Sequence, residues 1–190
     1  MRHVHEIIDL PKDIIDAVKE HGRRSNYTDA NLMGYIVEYS YKRAHGIPFK
    51  VVINTKSDGG VDFVDENGKP WDIKATKSTE SFFNDNGYTV WSIADKAVRY
   101  GMNYILCRAD MDARKAEVCY MLTAEELMHC FSFYQVGDRI NEYLTRRPVY
   151  SDRRCWVATY SHLRKKAEED EVDDESEEAA EYAESVAAGY

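Results

Sequence analysis

An Asn-Gly pair between two alternating runs of residues is the feature that most constrains how this chain folds. In VDFVDENGKPWDIKAT, residues 61–76, strand-forming residues flank Asn67-Gly68 on both sides. Asn-Gly is the strongest short-range signal for the tight turn of a β-hairpin, because both central residues of that turn need a positive φ. The sequence therefore predicts an antiparallel hairpin near the middle of the chain.

Charged side chains interrupt both strands of the predicted hairpin. Because side chains alternate between the two faces of a strand, Asp72 and Lys74 share a face, and Asp62 gathers with them at one edge of the pleat. An unpaired carboxylate in an apolar site is costly, so that face needs either solvent or a ligand. The opposite face is apolar and suits a core, with Phe63, Trp71, Ile73 and Ala75.

The two carboxylates are the reason to expect a cation. Cross-strand neighbours on one face lie ~5 Å apart, and two carboxylates at that distance repel unless a proton or a cation lies between them. Lys74 could compensate only one of Asp62 and Asp72. Mg²⁺ is typically held by one or two carboxylates, with waters and phosphate oxygens in the other positions. The Ile73 carbonyl could add a ligand, and Lys74 would face the substrate, which suits metal-assisted hydrolysis of a phosphodiester.

This arrangement resembles the PD-(D/E)XK nuclease superfamily, also called restriction-endonuclease-like. In that pattern an aspartate on one strand is followed by (D/E)-x-K on the next, and here nine residues separate Asp62 from Asp72-Ile73-Lys74. Glu38, in the predicted helix before the hairpin, matches the acidic ligand of the family's N-terminal helix. The resemblance covers about residues 25–160, with Val61 in place of the proline that gives the pattern its name.

The resemblance implies an α/β fold of the α+β variant, in which helices flank a central mixed sheet. It also implies Mg²⁺- or Mn²⁺-dependent cleavage of DNA, often by a dimer, in a small enzyme of the phage or bacterial type. Asp62 and Asp72 would be metal ligands beside the Ile73 carbonyl. Lys74 would orient the attacking water or contact a phosphate, and Glu38 would bind the metal directly or through water. No Gln-x-x-x-Tyr segment follows Lys74, which favours an endonuclease over the exonuclease branch.

Local signals predict the elements on either side of the hairpin. Residues 11–22 and 28–46 have apolar residues at helical spacing and a glycine at the end of each run. FKVVINT, residues 49–55, is rich in strand-forming residues. We expect residues 89–101, TVWSIADKAVRYG, to form a short helix that ends at its last glycine.

In the C-terminal half of the domain, the sequence predicts three strands and a helix. NYILCRAD and KAEVCYMLT are strands joined by the turn MDAR, and CWVATY is a last strand. Thr123, followed three residues later by Glu126, is a capping-box pattern that opens a helix. His3 and His5 lie in a stretch that we expect to be a mobile end, and they do not predict a zinc site.

Charge divides the chain into a domain and a tail. Residues 167–190 hold 11 of the 34 acidic residues and no basic ones, which leaves 23 acidic against 25 basic residues in 1–166. We therefore predict a nuclease-like domain over residues 1–166 and an acidic, disordered tail over residues 167–190. The tail would favour solubility, or would contact a basic protein surface or the protein's own DNA groove.

The sequence carries no sign of export. No run approaches the ~18 apolar residues of a membrane span, and the start of the chain has no secretion signal. The four cysteines are widely spaced, which predicts small buried hydrophobes rather than a disulfide framework or a zinc site. We expect a cytoplasmic protein of a bacterium or of a phage-infected host cell.

DNA binding requires cations close to the hairpin. Contacts to phosphates displace counterions, so the affinity of such a surface falls as salt is added. The residues that we predict to contact phosphates are Lys42, Lys77, Arg146, Arg147, Arg153 and Arg154. Further basic residues in the same regions are Arg43, Lys50, Lys56, Arg164, Lys165 and Lys166.

Two other functions fit the same sequence. One is a nucleic-acid-binding module that has the nuclease fold without the chemistry. The other is a phage protein-binding inhibitor whose acidic tail imitates nucleic acid. At the level of residues, Asp62, Asp72 and Lys74 could form a salt-bridged ladder on a solvated sheet face. Glu38 could equally pair with Lys42, four residues later on the same helix.

Overall fold

A computed structural model describes residues 1–23, 28–51, 60–78, 89–141 and 148–169. Within these residues the helices are α1 (Lys12–Arg23), α2 (Asp29–Ala44) and α3 (Ala124–Cys130), and residues 160–169 form a further helical segment. The strands are β1 (Arg2–Asp9), β2 (Phe63–Val64), β3 (Pro70–Lys77), β4 (Val90–Ala94), β5 (Asn103–Asp110), β6 (Lys115–Thr123), β7 (Ser132–Tyr134), β8 (Arg139–Ile140), β9 (Val149–Tyr150) and β10 (Cys155–Thr159).

Five strands form the main sheet in the order β1-β6-β5-β3-β2. β3 and β5 run parallel, whereas the β1–β6, β5–β6 and β2–β3 pairs are antiparallel. A second sheet has the order β4-β10-β7, and β8 pairs with β9. The described chain is therefore a mixed α/β fold whose central mixed sheet is flanked by helices, as the sequence predicted.

Helices α1 and α2 cover one face of the main sheet. In α1 the apolar residues Ile14, Ile15 and Val18 repeat at helical spacing and are buried. α2 begins after Thr28, whose hydroxyl accepts a hydrogen bond from an amide of the first turn. Both helices pack in one apolar cluster with Ile73 of β3. The β3 residues on either side of Ile73 therefore project to the other face.

An aromatic core fills that other face. Tyr104 of β5 and Tyr120 of β6 pack there against Trp91 of β4. Tyr160, at the start of the last helical segment, joins the same cluster. The Trp91 indole N–H donates to the Cys107 carbonyl at 3.0 Å, which ties the second sheet to the main sheet. The aromatic core thus separates the main sheet from the second sheet.

The predicted hairpin is present and consists of β2 and β3. Phe63 pairs with Trp71 in the register, and their rings stack with centroids 6.2 Å apart. Gly68 in the turn has a φ of +77°, a conformation that glycine adopts without steric cost. Asn67 does not have a positive φ, and the Asp65 amide donates to the Lys69 carbonyl, so the loop has three residues and is not the two-residue turn that Asn-Gly predicts. Phe63, Trp71 and Ala75 pack against the cluster that contains Ile73. The assignment of the apolar residues to the core face is therefore confirmed.

The helix predicted over residues 89–101 is wrong. Val90–Ala94 is strand β4, and Asp95–Ala97 is a short 3₁₀ helix. Trp91 and Ile93 are buried at alternate positions, which is the period of a strand, and β4 pairs with β10 along its whole length. This tertiary pairing outweighs the helix-forming residues of the segment, since strand preference depends on packing context.

The expectation of a mobile end at His3 and His5 is also wrong. Both residues lie in β1, which pairs antiparallel with β6. The His3 ring stacks on Tyr120 with centroids 4.8 Å apart, and His5 Nδ1 lies 2.8 Å from a carboxylate oxygen of Glu117. Sequence reasoning misses this strand because its register shifts between His3 and Glu6, and such a bulge breaks the alternation.

Gly22 does not end α1, which continues to Arg23. A Cβ built on Gly22 would lie 2.3 Å from Cδ2 of Leu32 in α2. The glycine therefore permits the close packing of α1 on α2, and its role is not that of a helix stop.

Other local predictions are confirmed. Thr123 and Glu126 form the capping box that opens α3. β5, β6 and β10 occupy the segments predicted as strands. The four cysteines are free and buried. Among the described residues, none of the helices has the length and apolar character needed to cross a membrane.

Part of the sequence prediction lies outside the described residues. Residues 170–190 of the predicted tail are one such part. The first three residues of the tail, 167–169, are described and belong to the helical segment 160–169. Ala167 in that segment is buried in the aromatic core. The others are residues 52–55 of FKVVINT, Lys56, Arg146 and Arg147.

Candidate active site

Asp72 and Lys74 form an ion pair on the face of β3 that lies opposite α2. The Lys74 Nζ atom is 2.7 Å from Oδ1 and 2.6 Å from Oδ2 of Asp72. The Asp72 side chain is only 3% exposed and that of Lys74 is 27% exposed. A carboxylate so deeply buried requires a compensating charge, because desolvation penalises its ionised form. The Asp72 carboxylate is therefore buried beneath a partly exposed Lys74 ammonium, and the pair is not a ladder on a solvated sheet face.

Asp62 reaches the same part of β3 through a bulge. Its amide donates to the Trp71 carbonyl at 2.8 Å, although the register pairs Trp71 with Phe63. Two residues of one strand thus face a single residue of the other, which is the mark of a β-bulge. The bulge turns the Asp62 carboxylate towards β3, where Oδ2 accepts the Ile73 amide at 2.6 Å. The Asp62 carboxylate therefore binds the peptide group that joins Asp72 to Ile73.

The Ile73 carbonyl points to the same edge of β3. In a strand the N–H and C=O groups of one residue project to the same side. Because the Ile73 amide is bound by Asp62, the Ile73 carbonyl also faces the edge that carries Asp62. Two of the oxygen donors predicted from the sequence therefore share one edge of β3, beside the face that carries Asp72.

Gly60 brings the chain against the Asp72 carboxylate. Its φ is +73°, a left-handed conformation that favours glycine. A Cβ built on Gly60 would lie 3.5 Å from Asp72 Oδ2. The segment from Gly60 to Asp62 therefore passes from the Asp72 carboxylate to the Ile73 amide and frames the site on one side.

Asp65 fastens the hairpin on which these residues lie. Its Oδ2 atom accepts the Trp71 indole N–H at 3.0 Å, and Oδ1 accepts the amides of Asn67 and Lys69, each at 2.9 Å. These hydrogen bonds, the one from Trp71 above all, hold the pKa of the Asp65 carboxyl below its usual value. The Asp65 side chain thereby fixes the turn that sets the register of Asp62 on β3.

Glu38 lies on α2, which packs on the other face of the sheet. Its carboxylate is 2.5 Å from the Lys42 ammonium, and both side chains are largely buried. Among the residues that the structure describes, no three His, Cys, Asp or Glu side chains form a group that could hold a metal ion. The structure thus brings Glu38 together with Lys42 and does not cluster it with Asp62 and Asp72. A ligand role for Glu38 stays a prediction.

Tyr104 links the site to a turn that the sequence did not single out. It lies opposite Asp72 in the parallel register of β3 and β5. Its hydroxyl donates to the Ala97 carbonyl and accepts the Arg99 amide, both at 2.9 Å. Burial raises the pKa of Tyr104, and the nearby charge of Asp72 raises it further. The neutral hydroxyl therefore holds residues 95–100 beside the site.

The predicted DNA-binding cations occupy different environments. Lys77 and Arg153 are exposed, whereas Lys42 is buried with Glu38. Arg154 is 59% exposed, and its guanidinium is 3.0 Å from a carboxylate oxygen of Asp95. Arg154 therefore borders the same turn as Tyr104, while Lys42 has no surface position from which to contact a phosphate.

A second polar cluster lies farther along the same sheet face. Arg108 Nε is 2.5 Å from Oε2 of Glu117, whose Oε1 lies 2.8 Å from Nδ1 of His5. Arg108 pairs with Thr76 in the register, four residues beyond Asp72, which is roughly 13 Å along a strand. The cluster is thus separate from the candidate site, and it attaches β1 to β6.

Comparison with protein-family models, with curated proteins and with solved structures found no match for this chain. The chemistry of the site itself is therefore the basis on which a function can be proposed. That chemistry consists of two carboxylates, one backbone carbonyl and one ammonium around the edge of β3.

Proposed function

We propose that this protein is a metal-dependent endonuclease that hydrolyses phosphodiester bonds of DNA. The observation that carries the proposal is the hydrogen bond from the Ile73 amide to the Asp62 carboxylate. In this contact the carboxylate of Asp62, one predicted metal ligand, binds the residue that follows Asp72 and that carries the carbonyl predicted as a further ligand. Without this contact the acidic residues would be separate features of two strands.

The oxygen donors at the edge of β3 suit a hard divalent cation. The donors there are the carboxylate oxygens of Asp62 and Asp72 and the carbonyl oxygen of Ile73. Mg²⁺ binds one or two carboxylates and completes its shell with waters and phosphate oxygens. Mg²⁺ or Mn²⁺ would be held here by the carboxylates of Asp62 and Asp72 and by the Ile73 carbonyl.

The chain's own groups would position and stabilise the substrate. A bound Mg²⁺ supplies a Lewis acid and lowers the pKa of a coordinated water. Lys74 is held in place by Asp72 and is partly exposed, so its ammonium can contact a phosphate oxygen and stabilise the negative charge that develops there. The bulge at Asp62 orients the second carboxylate towards the same edge of β3.

A binding module without chemistry is the second candidate function. The Asp72–Lys74 contact favours it, because an ion pair between two neighbouring residues of one strand compensates the buried carboxylate without a metal. Cleavage assays separate the two functions, since both would bind DNA and only the endonuclease would cut it.

The decisive experiment measures cleavage of supercoiled and linear DNA by the purified chain with Mg²⁺, Mn²⁺ or EDTA. We expect metal-dependent nicking of closed circles, which an exonuclease would leave intact. Lys74→Ala and Asp62→Asn should each lower the rate by about 10²-fold or more, the usual effect of losing one group that stabilises the transition state. Lys69→Ala, an exposed lysine of the same hairpin, is the matched control and should cut normally.

Two controls keep this experiment decisive. Circular dichroism should show that each variant is folded, and Asp62→Asn supplies an answer if removal of Lys74 unfolds the chain. Cleavage that persists in EDTA, or equal rates for Asp62→Asn and wild type, would contradict the proposal. Binding of DNA without cleavage of duplex, branched or single-stranded substrates would establish the binding module.

A further inference from the structure

The turn beside the candidate site exposes an aromatic ring. Tyr100 is 80% exposed, whereas the other large apolar side chains noted at the surface of the described residues range from 48% to 67%. A tyrosine usually buries much of its ring, because that surface dominates its energetics. Exposed rings next to cations are the groups that single-stranded nucleic acids use as stacking platforms. Two exposed cations, Lys96 and Arg99, precede Tyr100 in the chain.

The turn is held in a defined conformation. The Val98 amide donates to the Asp95 carbonyl at 3.0 Å, and the Met102 amide donates to the Arg99 carbonyl at 3.1 Å. Gly101 has a φ of +77°, which reverses the chain into β5. Together with the two hydrogen bonds of the Tyr104 hydroxyl, these contacts present Tyr100 from a fixed backbone.

The charge around the turn is positive. Among the described residues, Lys96 and Arg99 make no ion pair within 4.0 Å. Asp95 is compensated by Arg154 at 3.0 Å and also accepts the Trp156 indole N–H at 3.0 Å. Besides Asp72, Glu125 is an acidic group whose charge raises the pKa of Tyr104. Two cations are thus left for an anionic ligand.

We propose that residues 95–100 form a binding element for an unpaired stretch of the DNA strand. The Tyr100 ring stacks on an exposed base, and Arg99 and Lys96 contact the flanking phosphates. The inference rests on the proposed function for its link to cleavage, because Tyr104 places this element beside Asp72. The binding itself does not depend on any chemistry at that site.

This element would select the shape of the substrate. In a duplex both faces of each base are covered by neighbouring bases, so a protein ring can stack only where a base is unpaired. The expected ligand is therefore DNA with a single-stranded stretch, such as a frayed end, a gap or a flap. Duplex DNA would contact the cations and leave the ring without a partner.

The test measures binding by fluorescence anisotropy in EDTA, so that no cleavage can occur. The probes are a single-stranded 20-mer oligodeoxynucleotide, roughly the span of one or two single-strand sites, and the duplex of the same sequence. We expect the wild type to bind the single strand more tightly. Tyr100→Ala should raise the single-strand Kd by about 5- to 150-fold, the usual effect of losing one stacked base. Tyr100→Phe should restore binding.

Matched variants separate stacking from charge. Tyr150→Ala removes a tyrosine that is 59% exposed on β9 and should leave the single-strand Kd unchanged. Arg99→Ala should weaken the binding of both probes. For the single strand, it should also lower the magnitude of the slope of log K against log salt by about 0.7. Tyr100 and Arg99 are exposed, so these variants should unfold at the wild-type temperature.

The outcomes distinguish this inference from the proposed function. Equal wild-type affinity for both probes, or equal Kd values for Tyr100→Ala and Tyr150→Ala, would overturn the inference. A chain that binds through Tyr100 but never cuts DNA would retain the inference and contradict the endonuclease. A chain that cuts DNA while Tyr100→Ala binds like the wild type would retain the endonuclease and contradict the inference.

Discussion

Lys74 has a structural task besides the chemical role that we propose for it. Its ammonium compensates a carboxylate that is 3% exposed, and removal of one partner of a buried ion pair leaves an uncompensated charge. A loss of cleavage in Lys74→Ala could therefore follow from a shift of Asp72 in the folded protein. Asp62→Asn does not have this ambiguity, because the asparagine side-chain oxygen can still accept the Ile73 amide.

Asp65 should make the hairpin sensitive to acid. Its folded pKa is lowered from 3.8, so the ionised form contributes stability that is present above pH 3.8 and is lost as the pH falls through the lower folded value. We expect Asp65→Asn to lower the Tm at neutral pH, with a difference from wild type that shrinks below pH 3.8. The measurement is thermal unfolding by circular dichroism from pH 2 to pH 7. Asp152→Asn, an exposed aspartate, is the control, and a pH-independent difference would contradict the role given to Asp65.

At the scale of elements, the hairpin carries the candidate site because its regular pairing ends on the N-terminal side of Phe63. The bulge at Asp62 ends the regular β2–β3 ladder and leaves the Ile73 amide to a side chain. Bulges are common next to active sites because they re-aim a side chain. A hairpin with regular pairing to its end would have directed the Asp62 carboxylate to one face of the sheet.

Two glycines of this hairpin allow the geometry to be tested. Gly60 and Gly68 both have a positive φ, at +73° and +77°. Substitution by alanine should lower the free energy of unfolding by about 1–2 kcal/mol at either position, because of left-handed strain. Only Gly60→Ala should also lower the cleavage rate, since Gly60 borders Asp72 and Gly68 has nothing within 4 Å of a built Cβ. Urea titration and the nicking assay measure the two effects, and equal rates for both variants would contradict this view of the site.

The sequence predicts elements where one local signal dominates. The position of the hairpin turn and the Thr123–Glu126 capping box depend on short-range chemistry, so both could be read directly. β4 could not, because its strand form comes from pairing with β10, which lies more than 60 residues away. The candidate site was predictable only in the part that depends on local sequence. Periodicity gave the shared face of Asp72 and Lys74, whereas the bulge and the contact of Tyr104 with the turn depend on packing.

At the scale of the whole molecule, the main sheet divides two cores with different contents. The helix side is mainly aliphatic, and the other side is dominated by Trp91, Tyr104, Tyr120 and Tyr160. The candidate site and the turn at residues 95–100 both lie on the aromatic side. The last helical segment also closes this side, because Ala167 and Leu163 are buried in the same core.

Removal of the acidic tail should test the charge balance of the molecule. Residues 170–190 hold 9 acidic and no basic residues, so truncation after Glu169 brings the net charge from −9 to zero. We expect an unchanged Tm and tighter DNA binding at low salt, with a gain that fades as salt screens the tail. Truncation after Lys166 is the comparison and should lower the Tm, because it deletes the buried Ala167. Weaker DNA binding after the first truncation would contradict the expected repulsion between tail and DNA.

The pairing of β1 with β6 has a consequence for synthesis on the ribosome. β1 ends at Asp9 and its partner β6 begins at Lys115, so β1 leaves the ribosome more than 100 residues before the strand with which it pairs. At about 5–20 residues per second, that wait lasts roughly 5–20 s. During this time the nascent chain exposes the apolar side chains of Ile7 and Ile8 beside an unpaired strand edge. β1 is therefore a segment of the incomplete chain to which a chaperone could bind.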